Sequence, residues 1–197
     1  YNTLEAAKFL VEMGDPNGIE MLTTVGKFYK LSLSGIYDQV TIREETEHLT
    51  CYLQILKLRY NSKYEYSVEV DEKIMENEII KFSLQPLVEN AIFHGIEISK
   101  GNGIIRITSS ASEGKLRLTV EDNGVGMTQE KIKSILTVQE ERYEGLNSIG
   151  VANVSQRIKQ YFGEESGLNY ISEPGRGSIV EVWLPLFRTR EEAQAGV

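Results

Sequence analysis

The hydrophobic period of this chain changes once, near residue 64, and that change constrains the fold more than any other feature. Before it, apolar residues recur three and four positions apart, the spacing of one helix face. Leu4, Ala7 and Val11 form one stripe, which stops at the turn-rich "GDPNG". Ile19, Leu22, Val25, Tyr29 and Leu33 form a second, ending near "LSLSG". Ile42, Leu49, Leu53 and Leu56 run through "TIREETEHLTCYLQILKLRY", with Thr41 placed to cap the start. Residues 1–62 therefore read as a helical hairpin or partial bundle. Their stripes suit packing within the chain and a dimer interface equally well.

From Tyr64 onward strands and helices mix. "YEYSVEV" alternates and is rich in β-formers, so it reads as a strand. "LQPLVENAIFHGIE" follows as a helix, with Ser83 as its N-cap and Pro86 in the first turn. "GIIRITSS" and "KLRLTVED" are strands joined by a Glu113-Gly114 turn, and "TQEKIKSIL" is a short helix. Residues 137–149 are polar and without pattern, and "GVANVSQRIKQYF" is helical again. "LNYISE" and "SIVEVWLPL" make a closing hairpin around "PGRG", and residues 188–197 form a charged tail. This order predicts an α+β sandwich of one sheet under a helical layer.

Composition narrows the function classes. With 29 acidic against 21 basic residues in 197, the net charge is −8, which argues against broad binding to a nucleic-acid backbone but leaves room for a local anion pocket. One cysteine, Cys51, excludes a disulfide framework and a cysteine-rich zinc site, and fits a reducing, cytosolic setting. No apolar run approaches the roughly 18 residues of a membrane span, and no signal peptide is visible. The expectation is a soluble, cytoplasmic piece, one that can still belong to a larger membrane-attached protein.

The polar residues on the helix at 84–97 are the first sign of chemistry. Leu84, Leu87, Val88 and Ala91 mark its buried face, and Glu89, Asn90 and His94 lie close beside it. An unpartnered polar group there costs roughly 1–3 kcal/mol, so these side chains call for a role. "EDNGVGM" is the second sign. Asn-Gly after a strand is ordinarily a hairpin turn. Here a helical period follows, and Gly126 is more than a hairpin needs. Asp122 can accept a hydrogen bond from an exocyclic amine while Gly124 and Gly126 let the backbone approach a flat base.

Two further loops suit anions. "GLNSIGVANV" leads into a helix start, where unpaired N–H groups and the helix dipole attract phosphate. "EPGRGSIVEVWLP" is a turn by default, with Arg176 and Ser178 as candidate donors. Magnesium takes oxygen ligands and commonly bridges one protein group to substrate phosphates, a role the Asn90 amide can fill. Glu89 or His94 can then order water or touch a phosphate. No "GxxxxGK[ST]" occurs, which rules out a P-loop.

"LQPLVENAIFHG", "DNGVGM", "GVANVSQRI" and "GRGSIVEVWLP", in that order over residues 64–186, resemble the N, G1, G2 and G3 boxes of sensor histidine kinases of the LytS/YesM type. These belong to the GHKL ATPases, with gyrase, Hsp90 and MutL. "YNTLEA" and "TIREETEHLTCYLQILKLRY" also resemble this subfamily. The resemblance implies a Bergerat-type two-layer α/β sandwich with an ATP lid at 63–187, behind a helical dimerisation-like region at 1–62. It implies Asn90 as magnesium ligand, Asp122 as adenine reader, and Gly124, Gly126 and Gly150 as glycines shaping the pocket. His94, Met127, Ser148, Val151 and Ser178 join the nucleotide-binding set, and Glu89 and Asn90 form the candidate catalytic pair. Three positions depart from the family. Phe93 stands where many of these kinases have Lys, Ser148 replaces a glycine, and Lys81 stands where proline is common.

The implied reaction is transfer of the ATP γ-phosphoryl group to a histidine, then to an Asp of a response regulator. The family acceptor lies in a "PHFLYNTL"-like stretch, so it is expected upstream of Tyr1. His48 then reads as a helix-surface residue and His94 as part of the pocket. Alternatives are a GHKL serine kinase of the anti-sigma type, which the 62-residue helical start disfavours, and a non-enzymatic ATP-sensing scaffold. The implied partners are ATP with Mg2+, a cognate response regulator and a second copy of the chain.

Overall fold

The computed structural model describes residues 2–33, 38–60, 64–96, 102–136 and 146–186, with the side chains of 146–149 excepted. The charged tail and the segment at 137–145 lie outside the described residues. Among those described, no helix is long and apolar enough to cross a membrane.

Two helices, α1 (Asn2–Glu12) and α2 (Pro16–Leu33), form a hairpin whose corner depends on Gly18. A Cβ there would fall 2.6 Å from the Val11 nitrogen. Their shared core is small: Ala7, Met21, Val25 and Ile55, flanked by Phe28 and Leu58. The stripe read along α2 is not the packed face. Ile19, Leu22, Tyr29 and Leu33 are 67%, 44%, 53% and 82% exposed, while Gly18, Met21, Thr24 and Val25 are buried. Small side chains on the inner side let the helix backbones approach, and the larger apolar ones are left outside.

The third helix, α3 (Ile42–Arg59), begins as predicted. Thr41 accepts from the Glu44 N–H, and the Glu44 carboxylate accepts from the Thr41 N–H at 2.9 Å, a reciprocal cap that satisfies two otherwise unpaired donors. Its stripe of Ile42, Leu49, Leu53 and Leu56 is buried in the main core, while Ile55 packs into the hairpin. Thus α3 serves both cores. Two short strands, β1 (Gln39–Thr41) and β3 (Glu78–Ile80), pair antiparallel and tie the start of α3 to the chain ahead of the next helix. Neither carries a pattern long enough to read from sequence.

The main sheet has five strands in the order β2-β4-β5-β7-β6. They are β2 (Tyr64–Glu69), β4 (Gly103–Ser112), β5 (Lys115–Asp122), β6 (Gly167–Ser172) and β7 (Ser178–Pro185). The β2–β4 pair is parallel and the others are antiparallel, so the chain must cross over between β2 and β4. That crossover carries a 3-10 turn at Glu72–Ile74, strand β3, and α4 (Gln85–Asn90) continuing as one π-helical stretch, Ala91–Ile96. The β4–β5 hairpin turns at Glu113 and Gly114, both with positive φ (53° and 75°), the primed turn that matches strand twist. Ile105, Ile107, Leu116, Leu118, Val120, Val180, Val182 and Leu184 face a helical layer completed by α5 (Gln129–Leu136) and α6 (Leu146–Phe162). The fold is the two-layer α+β arrangement.

Candidate nucleotide site

The site forms where α4 and its π-helical extension meet the end of β5. Asp122 ends β5 on the helix-facing side and is 6% exposed. Its Oδ1 accepts from the Gly124 N–H at 2.8 Å, and Ser178, its register partner on β7, also bonds to it. Burial nevertheless pushes its pKa up, against these hydrogen bonds, which act to lower it. A buried carboxylate with an oxygen still to satisfy is suited to an incoming N–H donor.

The loop after Asp122 is fixed on both sides. The Asn123 side chain accepts from the Ile104 N–H at 2.7 Å and donates to the Asn102 carbonyl at 3.0 Å, so the Asn-Gly pair does not turn a hairpin. Gly124 lies against Gly95, where a Cβ would come 2.3 Å from a carbonyl carbon, and the Val125 N–H donates to the Gly95 carbonyl at 3.1 Å. Gly126 has φ +67°, and a Cβ would sit 1.9 Å from the Glu173 carbonyl oxygen. Met127 donates its N–H to Ser172 Oγ at 2.8 Å, and Ser172 Oγ lies 3.0 Å from Ser178 Oγ.

Asn90 closes α4, and Gly95 lies five residues on, in the π-helical stretch that continues it. Gly95 in turn abuts Asp122: a Cβ there would be 2.9 Å from Asp122 Oδ1. Asn90 is 7% exposed, and among the described residues its amide has no hydrogen-bond partner. An amide oxygen without a protein partner is a hard ligand of the kind magnesium takes, and as a single neutral ligand it fits a metal held chiefly by a nucleotide's phosphates. Among the described residues no group of three or more His, Cys, Asp or Glu could hold a metal.

The remaining candidates divide. Asp122, Gly124, Gly126, Met127 and Ser178 are joined by contacts and hydrogen bonds, with Asn90 on the helix that abuts them. Glu89 instead lies towards α3: Gln85 donates to it at 2.9 Å, and the Tyr52 hydroxyl is close to it. His94 is exposed and without a hydrogen-bond partner among the described residues. Helix α6 starts at Leu146 rather than at Gly150, so the Gly150 N–H lies inside the helix and is not one of the unpaired donors of its start. Gly150 instead faces Pro86, with a Cβ position 3.5 Å from the proline Cβ, and Val151 is fully buried. The Ser148 side chain lies outside the described residues. Arg176 pairs with Glu173 at 3.1 Å within its own turn.

Two sequence expectations are corrected. Ser83 does not cap α4: it is fully buried and its hydroxyl has no partner, while Leu84 occupies the cap position. His48 is not on the helix surface. It is 3% exposed, stacks on Phe28 at 4.4 Å and bonds Ser32 Oγ through Nε2 at 2.9 Å. Its stripe position could not reveal this, because α2 supplies the cover. The sequence reading also missed Gly95, Ser172 and Gly177. The "HG" and "GRG" pairs are the only local signal for the two glycines. Gly177 has φ +77°, with a Cβ position 2.0 Å from the Asp122 carbonyl oxygen.

Comparison with known proteins gives the class to which this fold belongs. Residues 79–188 match the model for histidine kinase-, DNA gyrase B- and HSP90-like ATPases, and residues 1–64 match a histidine kinase model. The chain belongs to this family of ATPases. It is 32% identical over 186 residues to the sensor histidine kinase YesM of Bacillus subtilis, spanning 94% of this chain and 31% of that protein. It is 31% identical to the sensor protein LytS of Oceanobacillus iheyensis, spanning 94% and 32%. The chain thus spans about a third of the length of these relatives. The histidine kinase domain of the blue-light activated histidine kinase EL346 of Erythrobacter litoralis shares the fold at a TM-score of 0.52, with 15% identity over 98% of this chain and 96% of that one.

Proposed function

We propose that this chain is the ATP-binding catalytic part of a two-component sensor histidine kinase, passing the γ-phosphoryl group to a histidine elsewhere in the protein and from there to a response-regulator Asp. The observation that supports the reading is the packing of the helix that carries Asn90 against Asp122 at Gly95, with both side chains buried.

Bound Mg-ATP supplies the phosphoryl group and the cation that neutralises its phosphates. The chain supplies position. Asp122 accepts from the exocyclic amine of adenine, and Ser178 and Ser172 hold its carboxylate in place. Gly124 and Gly126 bring backbone against the base, beside Met127. Asn90 holds Mg2+ through its amide oxygen. Glu89, Ser148, Gly150 and His94 are assigned to the phosphate side and its lid, and Val151 supports Gly150 from the core. His48 is closed off by Phe28 and Phe82 and is not the acceptor. The histidine kinase match at 1–64 favours this reading over an anti-sigma serine kinase, and relatives named as sensor kinases favour it over a scaffold. The outward stripe of α2 is assigned to a homodimer, and the membrane anchor of the sensor to another part of the protein.

Calorimetry with ATP, with and without Mg2+, tests the reading. Binding should be strengthened by Mg2+ in the wild type and lose that gain in Asn90→Ala. Asp122→Ala should weaken ATP by roughly tenfold or more, the loss of a charge-assisted hydrogen bond. A wild-type chain that does not bind ATP, or an Asp122→Ala variant that binds it equally well, overturns the proposal.

A further inference from the structure

Helix α4 has no cap of its own. Leu84 at the cap position has no suitable side chain, the Ser83 hydroxyl has no partner, and in the first turn Pro86 carries no N–H while the Leu87 N–H donates to the Leu84 carbonyl at 3.1 Å. The segment that leads into the helix is instead held from 39 residues earlier. Glu45 of α3, 2% exposed, accepts from the Leu84 N–H through Oε1 and from the Phe82 N–H through Oε2, both at 2.9 Å. Phe82 sits at φ +60°, a left-handed conformation that costs a bulky residue about 1–3 kcal/mol and persists only where its surroundings impose it. Those surroundings are the Glu45 carboxylate, the Ser32 carbonyl that accepts from Lys81 Nζ at 2.8 Å, and Arg157 of α6, which donates to the Lys81 carbonyl at 3.4 Å.

A buried carboxylate is a poor way to gain stability, since desolvation offsets most of what its hydrogen bonds return. An apolar side chain would fill the same volume without that cost, but it would not fix the place of two N–H groups. Seven residues further along α3, on the same face, the Tyr52 hydroxyl lies close to Glu89, the neighbour of Asn90. Helix α3 thus meets α4 near both ends, over a rise of about 9 Å. Asp122 is held from the sheet side, by the Gly124 N–H and by Ser178 on β7, and meets the helix at Gly95.

We propose that Glu45 is a positioning residue for the metal side of the nucleotide site, setting the start of α4 so that displacement of α3 acts on Asn90 directly and reaches Asp122, which the sheet holds, only through Gly95. The proposal rests on the nucleotide reading for its consequence, though not for its geometry. It gives the helical region, residues 2–59, a route by which its conformation grades Mg-ATP binding more than recognition of the base.

Glu45→Gln keeps the volume and turns one acceptor oxygen into a donor facing an N–H. Amide hydrogen exchange of the nucleotide-free protein should then quicken at residues 84–96 and stay unchanged in β4 and β5. ATP affinity should fall about tenfold with Mg2+, as for a lost hydrogen bond to a charged group, and stay level in EDTA. Uniformly faster exchange, no change at 84–96, or equal losses with and without Mg2+ overturn the proposal. Should Glu45→Gln fail to fold, Tyr52→Phe removes only a hydroxyl and should give a smaller, equally Mg-specific loss. A Tyr52→Phe chain identical to wild type would then overturn it. A wild type that does not bind ATP sinks the functional reading, while the exchange pattern still decides whether Glu45 places α4.

Discussion

Two glycines show how much of the site is backbone geometry. Gly126 and Gly175 both have positive φ, +67° and +82°, but only Gly126 also has a carbonyl oxygen 1.9 Å from where a Cβ would sit. Gly175 has nothing within 4 Å. Gly175→Ala should therefore cost only the left-handed penalty, about 1 kcal/mol. Gly126→Ala must also push back the β6–β7 turn, and should cost about 2–4 kcal/mol, with loss of nucleotide binding. Urea unfolding of the two variants checks this, and equal costs would show that the close approach at Gly126 is relieved without strain. His48 tests the same logic in charge. Burial, then the Lys81 charge, lower its pKa below the ordinary 6.5. The folded state therefore favours the neutral ring. Its contribution is complete above pH 6.5 and is lost as pH falls below it, because the unfolded chain takes up the proton first. As pH falls below 6.5 the unfolding free energy should fall by up to about 1.4 kcal/mol per pH unit from this group alone. His48→Gln should flatten that slope. An unchanged slope would mean the ring is protonated where it lies.

At the scale of elements, what was legible is what short sequence windows encode. The Thr41–Glu44 cap, the Glu113-Gly114 turn and the closing hairpin depend on neighbours within a few residues, and each stands where the sequence put it. Thr41→Ala should accordingly cost about 1 kcal/mol in urea unfolding and leave ATP affinity unchanged, since its partners are local. A cost near zero would show that β1 and β3 alone hold the start of α3. The illegible parts depend on partners far away in sequence. Ser83 has the right residue type to cap α4, yet Glu45 takes the N–H groups and leaves that hydroxyl unpartnered. The π-helical stretch has no sequence signature, although it sets the interval between Asn90 and Gly95. Strands β1 and β3 are three residues each, too short for a period to register. Of the candidate site, Asn90, Asp122, Gly124 and Gly126 stand out in sequence because their chemistry is conspicuous against their local pattern, while Gly95 and Gly177 do not. The approach of Tyr52 to Glu89 has no local signal either, because it is set by how α3 packs.

For the whole molecule, the unresolved balance in the sequence was whether the helical stripes served the chain's own core or a second copy. The structure separates the two uses. Met21, Val25 and the small Gly18 and Thr24 face inward, and Ile19, Leu22, Tyr29 and Leu33 remain exposed along one side of α2. On α1, Leu4, Phe9 and Val11 are exposed as well, at 48%, 61% and 43%, and so is Met13 just after it, at 69%. Scattered apolar residues are normal on any surface, but a row at helical spacing beside a second apolar helix marks an interaction face. If that face makes the proposed homodimer, sedimentation should show concentration-dependent association of the wild type. Leu22→Glu combined with Leu33→Glu should shift it to monomer, because charges at the centre of an apolar interface are left without partners once water is excluded. Both side chains are exposed, so Mg-ATP affinity should be retained in the double variant. A wild type that stays monomeric to about 100 μM, weaker than the micromolar range of specific interfaces, would remove this face from the dimer and leave the site's internal geometry untouched.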